Sequence, residues 1–181
     1  MLLQAKNKKG LSIVIGYVLL IAISIVMSIL VYQWLKTYVP TESLKCDDGT
    51  NLLIKSVLYN CTNFMLTVDV KNNGKFSIDG YYIHVSKTSE GLAIIDLSNN
   101  LTSGGSTYGN AIRLSPASHL VENILTPDEP NNEKISSFNT TGYGTLQRIE
   151  IIPTRFQDVS GKKRFISCSD SKVEAVLNCV H

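Results

Sequence analysis

Residues 6–36, KNKKGLSIVIGYVLLIAISIVMSILVYQWLK, set Lys6, Lys8, Lys9 and Gly10 directly before 25 residues, Leu11 to Leu35, that carry no charge. As a helix this uncharged stretch measures about 37 Å, enough to cross a hydrocarbon layer of roughly 30 Å with some tilt. A secretory signal has an apolar stretch of about 7 to 15 residues before a small-residue cleavage site. Here the run is longer and ends in VYQWLKTYVP, so removal at its far end is not expected. Lysines before the helix favour a cytoplasmic N-terminus, and Tyr32, Trp34 and Tyr38 suit the opposite interface. The remainder of the chain then lies outside. Pro40 ends the helix, because the residue before a proline is biased away from it, and PTESLKCDDGTN (40–51) reads as a hinge.

Composition agrees with an anchor plus one compact domain: 181 residues, 44% hydrophobic and 18% charged, which is not the signature of a disordered chain. Residues 1–40 hold four lysines and no acidic residue, whereas 41–181 hold 13 Lys and Arg against 15 Asp and Glu. A basic edge and a slightly acidic body do not make a nucleic-acid interface, so nucleic acid is not an expected partner.

The junction carries more information. Lys8, Lys9, Gly10, Leu11 and Ser12, leading into LSIVIGYVLLIAI, resemble the class III signal of archaeal type IV pilins and archaellins. The resemblance implies that a prepilin peptidase cuts between Gly10 and Leu11 on the cytoplasmic side, leaving the helix on the mature chain. Loss of Lys6, Lys8 and Lys9 takes the formal charge from +2 to −1. Bacterial pilins usually carry a glutamate five residues into the mature helix; here that position is Ile15, which favours the archaeal branch. The resemblance covers about the first 40 residues.

Within the helix, Ser12, Gly16, Ser24 and Ser28 lie on a four-residue ladder interrupted by Leu20, a stripe where backbones can approach closely. The other Ile, Val and Leu side chains would be buried between copies in a filament, at roughly 25 cal/mol per Å² of apolar surface removed from water.

Beyond the hinge the sequence reads as strand. In FMLTVDVKNNGKFSIDGYYIHV, Leu66, Val68 and Val70 alternate with polar residues, Asn73 and Gly74 supply a turn, and Phe76 and Ile78 resume the alternation. A hairpin is expected, with a bulge at Gly80 resetting the phase for Tyr81, Ile83 and Val85. LLIKSVLY is β-rich, LQRIEII is expected to stop at Pro153, and KKRFISC follows a turn at Ser160 and Gly161. HLVENIL fits a strand or a short helix. SNNLTSGGSTYGN and TPDEPNNEKISSFNTTGYG read as exposed loops. The fold class is α+β: a leader (1–10), a hydrophobic helix (11–40) and an all-β, sandwich-like, immunoglobulin-like head (41–181).

Cys46, Cys61, Cys168 and Cys179 all follow the helix, and an even count in an exported domain indicates disulfides. Three pairings exist. Proximity favours Cys46–Cys61 and Cys168–Cys179, each worth about 3 kcal/mol, while a strand crossing would set Cys46 beside Cys179. Intervals of 14 and 10 residues do not suit zinc. Asn60, Asn100 and Asn139 head the sequons NCT, NLT and NTT, with Asn60 the weakest because its neighbour is a cysteine. Asp128, Glu129 and Glu133 lack the spacing of a calcium loop. His84, His119 and His181 are scattered, with no nucleophile elbow or phosphate loop beside them, so no catalytic activity and no cofactor are expected.

These residues together suggest a subunit of an archaeal pilus-like surface filament, a homo-oligomer with the membrane as its station before assembly and adhesion as its purpose. An archaellin of a swimming filament shares the same N-terminal residues. A membrane-anchored extracellular protein that binds a sugar or peptide without polymerising accounts for the helix and head alone.

Overall fold

The computed structural model describes residues 8–38, 45–115, 124–128, 130–159 and 161–180, with side chains of the helix described from Ile13 onward. The chain divides into two compact units, Met1–Ser43 and Leu44–His181. In the first, an uninterrupted run of apolar residues without proline forms one helix, α1 (Lys8–Tyr38). Pro40 and the first hinge residues lie outside the described residues.

The head is built from β1 (Leu52–Asn60), β2 (Met65–Asn72), β3 (Gly80–Ser86), β4 (Ile95–Asp96), β5 (Leu101–Ser103) and β6 (Ser106–Tyr108). These are followed by β7 (Ala111–Arg113), β8 (Glu133–Asn139), β9 (Arg148–Val159), β10 (Lys162–Ser167), β11 (Val173–Val176) and β12 (Cys179–Val180). One sheet has the order β12-β1-β2-β8-β5; the other runs β10-β9-β3-β7-β6, with β11 beside β9 and β4 beside β3. Every pairing is antiparallel except β1 with β12. Alternation aims one face of each sheet inward. Leu52, Tyr59, Leu66, Val68, Val70 and Phe138 of the first sheet meet Tyr81, Ile83, Val85, Ile112, Ile149 and Ile151 of the second in one core. The head is a β-sandwich-like domain.

Several expectations are corrected. The expected hairpin is a crossover: β2 pairs with β1 and β8, whereas β3 pairs with β9, β7 and β4. Asn72 diverts the chain here, its Nδ2 donating to the carbonyls of Phe76 and Leu125 and its Oδ1 accepting from Gly74 N–H. Ile78 then enters the core with an isolated bridge to Leu125, the last residue of HLVENIL, whose residues 119–123 lie outside the described residues. Nor does Gly80 mark a bulge. The phase resets because the chain changes sheet, and glycine is required because a Cβ there would lie 2.2 Å from the Ile112 carbonyl oxygen.

SNNLTSGGSTYGN is not a free loop; it contributes β5 to one sheet and β6 to the other. Gly104 makes the corner between them, with a left-handed φ of 95° and room for no side chain beside the Ile135 carbonyl. TPDEPNNEKISSFNTTGYG contains β8, which lies between β2 and β5 and buries Ser136 and Phe138.

LQRIEII does not stop at Pro153. β9 runs through the proline, which pairs with Tyr81 on one side. On its other side β10 ends opposite Thr154 and β11 begins opposite Ile151. The Pro153 carbonyl accepts from Cys168 N–H in the gap between them, so the N–H that proline lacks falls where the ladder is interrupted. The expected turn before KKRFISC is present, with Val159 opposite Lys162 across it; Ser160 lies outside the described residues.

Candidate functional site

The helix offers one candidate surface. Ile13–Tyr38 forms a 26-residue span of mean hydropathy 2.9, long and apolar enough by length and composition to cross a membrane. Its few polar residues are distributed around the axis, so it has no polar face to turn toward water. Ser24 Oγ donates to the Leu20 carbonyl and Ser28 Oγ to the Ser24 carbonyl, both at 2.8 Å. Those hydroxyls are thereby satisfied within the helix, as an apolar surrounding demands. Nothing approaches within 4 Å of the position of a Cβ on Gly16. Trp34 and Tyr38 meet with their rings tilted, 4.6 Å between ring centres, near the C-terminal end. Lys8, Lys9, Gly10, Leu11 and Ser12 belong to the helix by backbone, and their side chains lie outside the described residues.

The cysteines pair neither locally nor as Cys46 with Cys179. Cys46 bonds Cys168 and Cys61 bonds Cys179, with sequence separations of 122 and 118. The reason is strand placement. The chain enters the head beside the end of β10, where Arg155 Nη1 donates to Asp47 at 2.8 Å and Ser171 Oγ donates to the Thr50 carbonyl at 2.6 Å. β12 lies alongside the last residues of β1, with Tyr59 opposite Cys179. The two bridges thus sit at opposite ends of β1. A pair of disulfides fits an oxidising, extracytoplasmic location for the head.

The sequons gather at the end of the head away from chain entry. Asn60, Met65 and Asn139 are successive partners across β1, β2 and β8, so they share one row on the outer face of the first sheet. Asn60 Oδ1 accepts from Thr62 and Asn63 N–H, and Asn139 Oδ1 accepts from Thr141 N–H. Asn100, in the 3-10 turn Ser98–Asn100 just before β5, has its Oδ1 held by Tyr143 Oη at 2.9 Å. Cys61, in the turn just after β1, packs against the core.

Charged groups decorate the outer faces. Lys55 donates to Glu133 at 2.6 Å and Lys71 lies 3.3 Å from its other oxygen, which together hold the Glu133 carboxyl below its ordinary range. On the second sheet, Lys172 lies 3.0 Å from both Glu150 and Glu174, and Arg148 also pairs with Glu174. These contacts raise the Lys172 ammonium and lower the Glu174 carboxyl, through Lys172 first and Arg148 second.

Two features escaped the sequence. Arg113 is nearly buried over the rings of Tyr108, Phe156 and Phe165, at 4.4, 4.9 and 5.4 Å, a cluster assembled from four separate strands with no local signal. Leu92 and Ile94, 78% and 80% exposed, flank the buried Ala93 in a surface loop.

His84 sits half-buried on β3, opposite Asp96 and Glu150; His119 and His181 lie outside the described residues. Glu133 is engaged by lysines and Glu129 lies outside the described residues. Among the described residues no group of three or more His, Cys, Asp or Glu is arranged to hold a metal ion. No protein family, no curated protein and no solved structure matches this chain.

Proposed function

We propose that this chain is the structural subunit of an archaeal type IV pilus-like surface filament. Its precursor would wait in the cytoplasmic membrane with the N-terminus inside, lose residues 1–10 to a prepilin peptidase, and polymerise through α1 while displaying the head for adhesion. The observation that carries this reading is the helix: uncharged from Leu11 to Leu35, apolar on every side over that stretch, and opening on Lys8, Lys9 and Gly10. Such a surface needs cover all round. Lipid supplies it before assembly, and neighbouring helices supply it in a filament, with the small residues Gly16, Ser24 and Ser28 allowing close approach.

The test is the N-terminus and intact mass of protein taken from the cell surface. A chain beginning at Leu11 is expected. A chain beginning at Met1 would make the helix a plain anchor and leave the head to explain the function. Replacing Gly10 with a bulky residue is expected to trap the precursor in the membrane; normal maturation of that variant would count against the peptidase step.

A further inference from the structure

The three sequons lie far apart in sequence, at residues 60, 100 and 139, and the fold brings them to one pole. That pole is opposite the point where the chain enters the head. Entry is marked by Cys46–Cys168 and by Asp47 on Arg155, beside the start of β1. Asn60 ends β1, eight residues and about 26 Å further along at the usual strand rise. Asn139 is its neighbour two strands across, about 10 Å away by strand spacing. Asn100 is tied to the same end through Tyr143, whose N–H bonds the Thr140 carbonyl next to Asn139.

The three carboxamides also share a hydrogen-bond state. In each, Oδ1 is engaged by a donor of the head, whereas Nδ2 has no hydrogen-bond partner among the described residues; Asn60 and Asn100 are half-buried and Asn139 is exposed. Asn72, which heads no sequon, shows the contrast: its Nδ2 is locked inside by two carbonyls. Each acceptor amide is therefore oriented by its oxygen, and no described group of the head engages its nitrogen.

We infer that this pole is an N-glycosylated cap in which Asn60, Asn100 and Asn139 are all modified. The donor class is an oligosaccharide linked through its anomeric carbon to a polyprenyl phosphate. Nδ2 attacks the anomeric carbon, the N–C bond forms, the C–O bond to phosphate breaks, the lipid phosphate leaves with that electron pair, and Nδ2 gives up one proton. Sugars rooted on Asn60 and Asn139 flank Met65 and cover the outer row of the first sheet at this end. The opposite pole and the outer face of the second sheet stay bare. The inference rests on the filament reading only in requiring export of the head.

The experiment is glycopeptide mapping and intact mass of the full-length protein isolated from its own cells, with sequon variants that leave the asparagines in place. Thr62→Ala and Thr141→Ala remove acceptors without deleting a described side-chain hydrogen bond; Thr62→Ser, Thr102→Ser and Thr141→Ser keep them and serve as folding controls. Three sugar increments are expected on the parent chain, one fewer in each alanine variant, and three in each serine variant. Recovery of any of the three sequon peptides solely with unmodified asparagine overturns the cap. A chain that begins at Leu11 with bare sequons would sink the cap and leave the filament reading standing; one that begins at Met1 with three glycans would do the reverse.

Discussion

Phe64 holds a left-handed backbone conformation, φ 54°, while its carbonyl oxygen accepts two hydrogen bonds from Thr140, at 2.8 Å from N–H and 2.9 Å from Oγ1. A bulky residue seldom adopts this conformation, and here the turn between β1 and β2 is fixed from both ends. Thr140 is fully buried, so Thr140→Val is expected to cost about 1 kcal/mol through loss of the hydroxyl bond. Phe64→Asn, tolerant of the left-handed region, should change stability by less than about 1 kcal/mol, whereas β-branched Phe64→Val should cost more than that. Urea midpoints of the detergent-solubilised protein measure all three. Equal midpoints for the Asn and Val variants would mean that the turn exerts no strain.

Gly80 and Gly104 are each pressed against a carbonyl 2.2 Å from where a Cβ would sit. Gly80→Ala and Gly104→Ala are expected to destabilise the head by about 1–3 kcal/mol or more, as backbone must move. Gly16→Ala, in open space, is the control and should leave the unfolding midpoint unchanged. Gly16→Leu tests something different: it should insert in the membrane normally yet reduce filament yield. Unchanged yield would remove the small-residue stripe from assembly.

Acid should weaken the head through its surface carboxylates. The folded-state pKa of Glu174 is lowered by Lys172 and Arg148, and that of Glu133 by Lys55 and Lys71. Their stabilisation is present above the unfolded carboxylate value of about 4.3 and is lost as pH falls through the lowered folded values. Lys172, whose pKa is raised, behaves oppositely: its contribution is present below about pH 10.4 and is lost as pH rises through the folded value. Thermal midpoints across pH should therefore bend at both extremes. Glu174→Gln should flatten the acid limb, and less so at high salt, because the pairs are solvent-exposed. Identical acid limbs for the parent and variant would exclude a role for this pair.

Non-reducing peptide mapping is expected to recover Cys46 linked to Cys168 and Cys61 linked to Cys179. A Cys46–Cys61 peptide would contradict the fold. Closing a loop of 122 residues is worth about 5 kcal/mol in the chain-entropy treatment, against about 3 kcal/mol for a local pair. With Cys61–Cys179 still closed, the loop opened by Cys46→Ser combined with Cys168→Ser runs only through 46–61 and 168–179, so the double variant should lower stability by about 3–4 kcal/mol.

The helix and the strands β1, β2 and β3 were legible in the sequence because each is specified by a local period: continuous apolarity for the helix, and alternation at Leu66, Val68 and Val70 for β2. Partnership was not. Alternation tells which way Tyr81 points relative to Ile83, but not that β3 lies in the other sheet from β2, since pairing is decided by contacts distant in the chain. β8 was missed because its pattern is inverted, with Ser136 buried and Ile135 58% exposed. Pro153 misled because a missing N–H ends a strand only where a partner needs it. The sequons were visible as triplets, yet their gathering at one pole follows from strand register alone. Cysteine spacing likewise carried no information on a bridge that spans most of the head.

The crossed bridges bear on how the head responds to tension. Cys46 lies six residues before the start of β1, so a pull arriving along the chain reaches the sulfur bridge to Cys168 before it can peel β1 from its neighbours. From Cys168 only eleven residues lead to Cys179, whose bridge reaches Cys61 at the far pole. Eleven residues span at most about 40 Å when fully drawn out, not much beyond the length of β1 itself. The segment 62–167, which holds most of the core, hangs from this short covalent girdle as a side loop. A load applied between entry and the Cys61–Cys179 bridge would fall on this short link and its β11–β9 pairing, leaving the pairings within 62–167 outside the covalent path.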